Sequence, residues 1–204
     1  MGGSHKNFKN SLSEIIVLSK LDAALQQLET AIELFFNDGH KVSFHTLVAA
    51  AHGILHDLGK KKGIRSSLKD SIAIRSEYLK EWKDAINSPQ NYFKHADKDD
   101  GKELEFHFNF TQFYLIDAIV IYQKLAGQMP FKLAIYFSWF CLQYPKIISD
   151  KWAKEKTKKF NKKIGLNPKA VAKEALKEFA QIPGVGENKL KRYGAAFLEV
   201  LRKA

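Results

Sequence analysis

Apolar residues recur at intervals of three and four along most of this chain, the spacing that places side chains on one face of an α-helix. In the first such segment Leu21, Leu25, Leu28, Ile32 and Phe35 share a face. A helix with one apolar face must bury that face against another element. The pattern therefore predicts an all-α protein, a bundle of amphipathic helices.

Residues with a strong preference for helix ends divide the chain into segments. Residues 37–39 are expected to end the first helix, Ser43 to cap the second, and Gly59 to end it. Pro89 is expected to separate the third helix from a short segment, 90–96. The helices predicted in the first 150 residues span 12–36, 43–58, 68–86, 111–125 and 131–143.

One segment, 103–110, places its apolar residues two apart, which is the alternation of a strand. No second segment of this kind lies nearby to pair with it. We therefore expect it to lie extended across the bundle. The many aromatic residues between 78 and 114 mostly follow helical or alternating spacing, so we expect them in the core rather than in a base-stacking surface.

Positive charge is concentrated in the last quarter of the chain. The 204 residues include 33 Lys and Arg and 22 Asp and Glu, and residues 151–204 hold 15 of the basic residues but only five of the acidic ones. This break predicts a nearly neutral helical bundle at 1–150 and a small basic helical module at 151–204. A localised basic field indicates a polyanionic partner, although the same charge is also found on solvated faces that bind nothing.

A helix–turn–helix pattern lies inside this basic quarter, with Pro183, Gly184, Val185 and Gly186 at the turn. The glycines permit positive φ and a close backbone approach. The first amides of the following helix would be unpaired, and together with the helix dipole they favour a phosphate group. The candidate nucleic-acid-binding residues are Gly184, Val185, Gly186, Asn188, Lys189, Lys191 and Arg192.

Residues 182–198 resemble the helix-hairpin-helix of DNA repair and recombination proteins. They are more similar still to the second half of the helicase-and-RNase-D C-terminal (HRDC) domain, an accessory nucleic-acid-binding module. The resemblance implies contacts with the phosphate backbone of DNA or RNA that depend little on sequence. The alternative is a glycine-rich turn that only packs two helices together.

Three histidines, His45, His52 and His56, are spaced by seven and four residues and so fall on one helical face. The pair His56-Asp57 resembles the signature of HD-domain phosphohydrolases, in which a His-Asp pair, another His and a distant Asp bind a divalent metal. In that family the first His comes from a separate helix, whereas here the histidines share one. We therefore predict no metal and no cofactor, and name His52, His56 and Asp57 as the ligands to test.

The segment around Asn91 and His95 resembles the motif of HEPN ribonucleases, an all-helical family that cleaves RNA without metal, usually across a dimer interface. Asn91, His95 and Asp97 are the candidate catalytic residues, and the resemblance implies a possible homodimer. Gln90 stands where the family has Arg, so the cation that would stabilise a developing phosphate charge is missing. The alternative is a helix end at which His95 and Asp97 brace the next loop.

Cys141 is the only cysteine, which excludes a disulfide within the chain and fits a reducing compartment. We therefore expect a cytoplasmic protein. The longest apolar run, 133–142, is about half as long as a membrane span requires, so no membrane partner is expected. Residues 20–126 also resemble a family of uncharacterised bacterial helical proteins, a resemblance that names no activity.

Overall fold

The computed structural model describes residues 15–70, 75–95 and 101–144. The predicted hairpin, the basic module at 151–204 and Asp97 lie outside these residues. Within them the chain forms five α-helices and no strand, so the predicted all-α bundle is confirmed. The helices are α1 (Lys20–Phe36), α2 (Lys41–Lys60), α3 (Leu79–Lys94), α4 (Phe108–Ala126) and α5 (Phe131–Gln143).

Helix α1 begins later than predicted because a capping box sets its first residue. The Ser19 hydroxyl accepts a hydrogen bond from the Asp22 N–H at 3.1 Å, and the Asp22 carboxylate accepts one from the Ser19 N–H at 3.1 Å. Each side chain satisfies a backbone donor that a helix start would leave unpaired. Residues 15–18 precede this box in non-helical conformation, with their large apolar side chains exposed.

Helix α2 is longer than predicted at both ends. It begins after His40 rather than at Ser43, and it passes through Gly59 to Lys60. A Cβ on Gly59 would lie 3.1 Å from the carbonyl oxygen of Ile64, so this glycine allows close packing instead of ending the helix. The positive φ of the connection falls at Gly63, at 68°. An exposed basic turn, Lys60 to Gly63, follows the helix.

The third helix was predicted wrongly. Residues 67–70 form a turn, α3 starts at Leu79 after a short 3-10 helix at Ser76–Tyr78, and Pro89 lies inside the helix. Proline removes one helical hydrogen bond. Two tertiary hydrogen bonds hold the part of the helix that precedes Pro89. The Trp82 indole N–H donates to the Leu68 carbonyl at 2.8 Å, and the Ile86 carbonyl accepts from the hydroxyl of Tyr114.

The later helices match the sequence pattern closely. Residues 102–107 lie in neither a helix nor a strand, and the segment expected to be extended, 103–110, ends early because the next helix starts at Phe108 rather than at 111. Gly127 ends α4 in the left-handed conformation with φ of 70°, and α5 has the predicted bounds. None of the described helices combines the length and apolar character needed to cross a membrane.

Helix α2 occupies the centre of the bundle and packs mainly against α1 and α4, while α5 covers α1 and α4 from the side. The core is rich in aromatic rings, as predicted, although Tyr78 is exposed. Fully buried core side chains include Leu28, Ile32, Phe44, Leu55, Leu115, Ile119, Tyr136 and Phe140.

Leu28→Ala should destabilise the protein by about 2–5 kcal/mol, because the substitution leaves a cavity where α1 meets the core. Leu18→Ala is the matched control, since Leu18 is 46% exposed and should change stability by less than about 0.5 kcal/mol. Urea unfolding followed by circular dichroism measures both. Equal midpoints for the two variants would contradict the packing described here.

Candidate functional site

The three histidines of α2 are all buried. His45 and His52 are 2% and 0% exposed, and His56 is buried nearby. His45 contacts Thr111 on α4, His52 contacts Asp117 on α4, and His56 contacts Asp70 in the turn after α2. The predicted histidine face is therefore the side of α2 turned towards α4 and the 66–70 turn.

A buried carboxylate, Asp117, is the centre of this polar cluster. It accepts hydrogen bonds from the His52 Nε2–H at 2.7 Å, the Ser66 hydroxyl at 2.6 Å and the Ser67 N–H at 2.9 Å. Burial raises the pKa of Asp117, but the hydrogen bonds from His52, Ser66 and Ser67, together with the electrostatic interaction with His52, leave the pKa below its usual value. Burial lowers the pKa of His52 by more than its bond to Asp117 raises it. An ionised Asp117 thus faces a neutral His52 whose proton is on Nε2.

A second carboxylate, Asp70, closes the turn that follows α2. Its Oδ2 accepts from the Ser66 N–H and from His56 Nε2, each at 3.0 Å. The Ser66 hydroxyl oxygen in turn accepts from the N–H groups of Leu68 and Lys69 at 3.2 and 2.9 Å. The three bonds made by Ser66 fix the turn internally, and the bond from His56 ties it to α2. The cluster therefore anchors the connection between α2 and α3.

The candidate metal ligands are not assembled by this geometry. The rings of His52 and His56 stack with centroids 6.2 Å apart, but the Asp57 side chain is 80% exposed. The Nε2 atoms of both histidines are engaged by Asp117 and Asp70, which the sequence analysis did not single out. Nowhere in 15–70, 75–95 or 101–144 do three or more His, Cys, Asp or Glu side chains form a group able to hold a metal.

Ser66, His52 and Asp117 have the composition of a catalytic triad but not its geometry. In a triad the serine and the carboxylate bind opposite nitrogens of the imidazole. Here both approach Nε2, with the Ser66 oxygen at 3.5 Å, and Nδ1 of His52 has no hydrogen-bond partner. The Ser66 hydroxyl is also buried and donates to Asp117. This arrangement does not activate a nucleophile.

The HEPN-like candidates Asn91 and His95 lie at the C-terminal end of α3. Both residues are exposed, and the His95 N–H donates to the Asn91 carbonyl at 3.1 Å, which makes His95 the C-cap of the helix. Between them, Phe93 turns inward and packs its ring on His45, with centroids 5.7 Å apart. The predicted pair is thus brought together on the surface, and no described pocket includes it.

A cavity of about 420 Å³ lies between α3, the segment 102–107 and the start of α4. His45 and Thr111 contribute polar groups to its wall. His45 Nδ1 lies 2.9 Å from the Thr111 hydroxyl, Nε2 has no partner, and burial lowers the pKa of His45 to about 4. No sequence pattern predicted this cavity, although the alternation at 103–110 indicated a segment lying across the bundle.

No protein-family model matches the chain, and no curated protein or solved structure is significantly similar to it. The resemblances to the HRDC, HEPN and HD families therefore stay predictions.

Asp117→Asn should destabilise the fold by about 2–3 kcal/mol, because the amide keeps the shape but offers donors where Ser66 and Ser67 already donate. Asp57→Asn, on the exposed side of α2, should change stability by less than about 0.5 kcal/mol. Urea unfolding at neutral pH compares them. A loss no larger for Asp117→Asn than for Asp57→Asn would show that the cluster does not hold the turn.

Acid should weaken the fold in a window set by His45. Burial lowers the pKa of His45 from 6.5 in the unfolded chain to about 4 in the folded chain. Between these two values the unfolded chain binds the proton more readily, so the free energy of unfolding falls as the pH decreases. The contribution of this one group is roughly 3 kcal/mol.

His45→Phe, which keeps a planar ring, should therefore show a smaller loss of stability than the wild type between pH 6.5 and pH 4. His40→Phe, a change at an exposed histidine, is the control and should keep the wild-type slope. Urea midpoints measured across this range decide the matter. Parallel slopes for His45→Phe and the wild type would overturn the assignment.

Proposed function

We propose that the protein binds the phosphate backbone of DNA or RNA through residues 183–192, with little preference for sequence. The observation that carries the proposal is the charge distribution, since 15 of the 33 basic residues fall in 151–204 together with the hairpin pattern. Lys189, Lys191 and Arg192 would neutralise phosphates next to those held by the turn amides.

The exposed basic turn after α2 supports the same proposal. Lys60, Lys61, Lys62 and Arg65 are all exposed, and the turn that follows them is fixed to the bundle by Asp117 and Asp70. A cluster of exposed cations adds to the attraction of a polyanion, and a backbone that is already ordered does not have to be ordered on binding. It would provide a second, weaker contact with the same nucleic acid.

The buried polar groups of the described bundle favour binding over catalysis. Ser66, His52 and Asp117 anchor a turn, and the Nε2 atoms of His52 and His56 are engaged by carboxylates rather than free for an HD-type metal. The ribonuclease alternative keeps one supporting observation, the exposure of Asn91 and His95 side by side at the end of α3.

Replacing Lys191 and Arg192 with Ala should weaken binding by similar factors on unrelated sequences. Each lost phosphate contact should lower the slope of log K against log salt by about one unit, so the double variant should lose about two. Fluorescence anisotropy at several salt concentrations measures this on single-stranded RNA, single-stranded DNA and duplex DNA.

The matched control is Lys80→Ala with Lys83→Ala, which removes the same charge from the exposed face of α3. An equal loss in this control would mean that net charge alone drives binding, and no binding by the wild type at low salt would refute the proposal. The RNA is also checked for cleavage in excess chelator. Cleavage that disappears in His95→Ala would favour the ribonuclease alternative.

A further inference from the structure

The cavity beside His45 has the composition of a small-molecule site. Its apolar wall includes Trp82, Ile86, Phe106 and Phe110, and the hydrogen-bonded pair His45 and Thr111 supplies buried polar groups. The other polar residues that line it, Ser88, Glu105 and His107, are exposed. Ligand sites in proteins are typically apolar clefts in which a few polar groups fix the orientation of the ligand. This cavity fits that description and plays no part in the proposed nucleic-acid contact.

Its size indicates how large a ligand it accepts. An apolar cavity of roughly 150 Å³ is sufficient for benzene, whereas this one measures about 420 Å³. Two fused rings with a short substituent therefore fit. Aromatic rings on the wall also favour a flat aromatic ligand, because edge-to-face and offset ring pairs add to the gain from burial.

The hydrogen-bond pattern of His45 determines what polar group the ligand should carry. If the Thr111 hydroxyl donates to Nδ1, one bond satisfies both groups and Nε2 carries the proton. The reverse arrangement would leave the hydroxyl proton and Nε2 both unpaired. His45 thus has a buried Nε2–H donor without an acceptor, which is costly unless something pairs with it.

The ring of Phe106 links this donor to the cavity. It packs edge-on against His45 with centroids 5.1 Å apart, and it is also part of the cavity wall. Its backbone belongs to the segment 102–107, which is in neither a helix nor a strand. His45 is itself part of the cavity wall, so its imidazole lies beside the space that a ligand would occupy.

We propose that this cavity binds an uncharged two-ring aromatic molecule that accepts a hydrogen bond from Nε2 of His45. A charged ligand would lose its hydration against an apolar wall. A purely hydrocarbon ligand would leave the buried donor unpaired. The ligand class is therefore aromatic ketones, amides and similar neutral carbonyl compounds.

The test uses two probes of nearly the same shape, 2-acetonaphthone and 2-ethylnaphthalene, titrated into the full chain and followed by protein NMR. The wild type should bind the ketone about tenfold more tightly, because only the ketone accepts a hydrogen bond. Failure of the ketone to bind, or equal affinity for the two probes, would overturn the proposal.

Three variants locate the site. Ala85→Phe fills the cavity from an exposed position on α3 and should abolish binding, whereas Lys83→Phe adds the same side chain to the same helix outside the cavity and should not. His45→Phe should remove the preference for the ketone. Binding that survives Ala85→Phe, or a preference that survives His45→Phe, would refute the assignment. Thermal melts confirm that each variant is folded.

Discussion

The ionised carboxylate of Asp117 is the constraint on which much of this bundle depends. A buried charge must be fully hydrogen-bonded. Within the part of the chain that the structure describes, no Lys or Arg pairs with Asp117, so His52, Ser66 and Ser67 supply the donors. Meeting this requirement brings the turn after α2 onto α4. The Leu68 carbonyl of this turn accepts a hydrogen bond from the Trp82 indole. This bond positions α3, which forms one wall of the cavity.

The two ends of the histidine face differ in the groups with which their histidines pair. Towards the C-terminus of α2, His52 and His56 each pair with a carboxylate, and these two hydrogen bonds hold α2 to α4 and to the turn that follows α2. Towards the N-terminus, His45 pairs through one nitrogen and is surrounded by aromatic rings. Unpaired buried donors are rare in stable folds. His45, rather than the His56-Asp57 pair, is therefore the residue at which we expect a ligand to bind.

Binding of a polyanion and binding of an apolar molecule make opposite demands on a surface. The first requires exposed cations spread over a face, as in the turn that begins at Lys60 and in the basic composition of 151–204. The second requires a concave site with a largely apolar wall, as at the cavity beside His45. The near-neutral charge of 1–150 and the strongly basic charge of the remainder divide these properties along the chain.

The sequence by itself determined the all-α class, the bounds of α5, the end of α4 at Gly127 and the shared face of the three histidines. These features follow from local spacing and from the conformational freedom of glycine, both of which are present in a short stretch of chain. Only the tertiary structure decided that Pro89 would lie within a helix, that Gly59 would not end one, and that Asp117 and Asp70 would pair with the histidines. His52 and Asp117 are 65 residues apart, and no local pattern encodes a hydrogen bond between residues that only the packing of helices brings together.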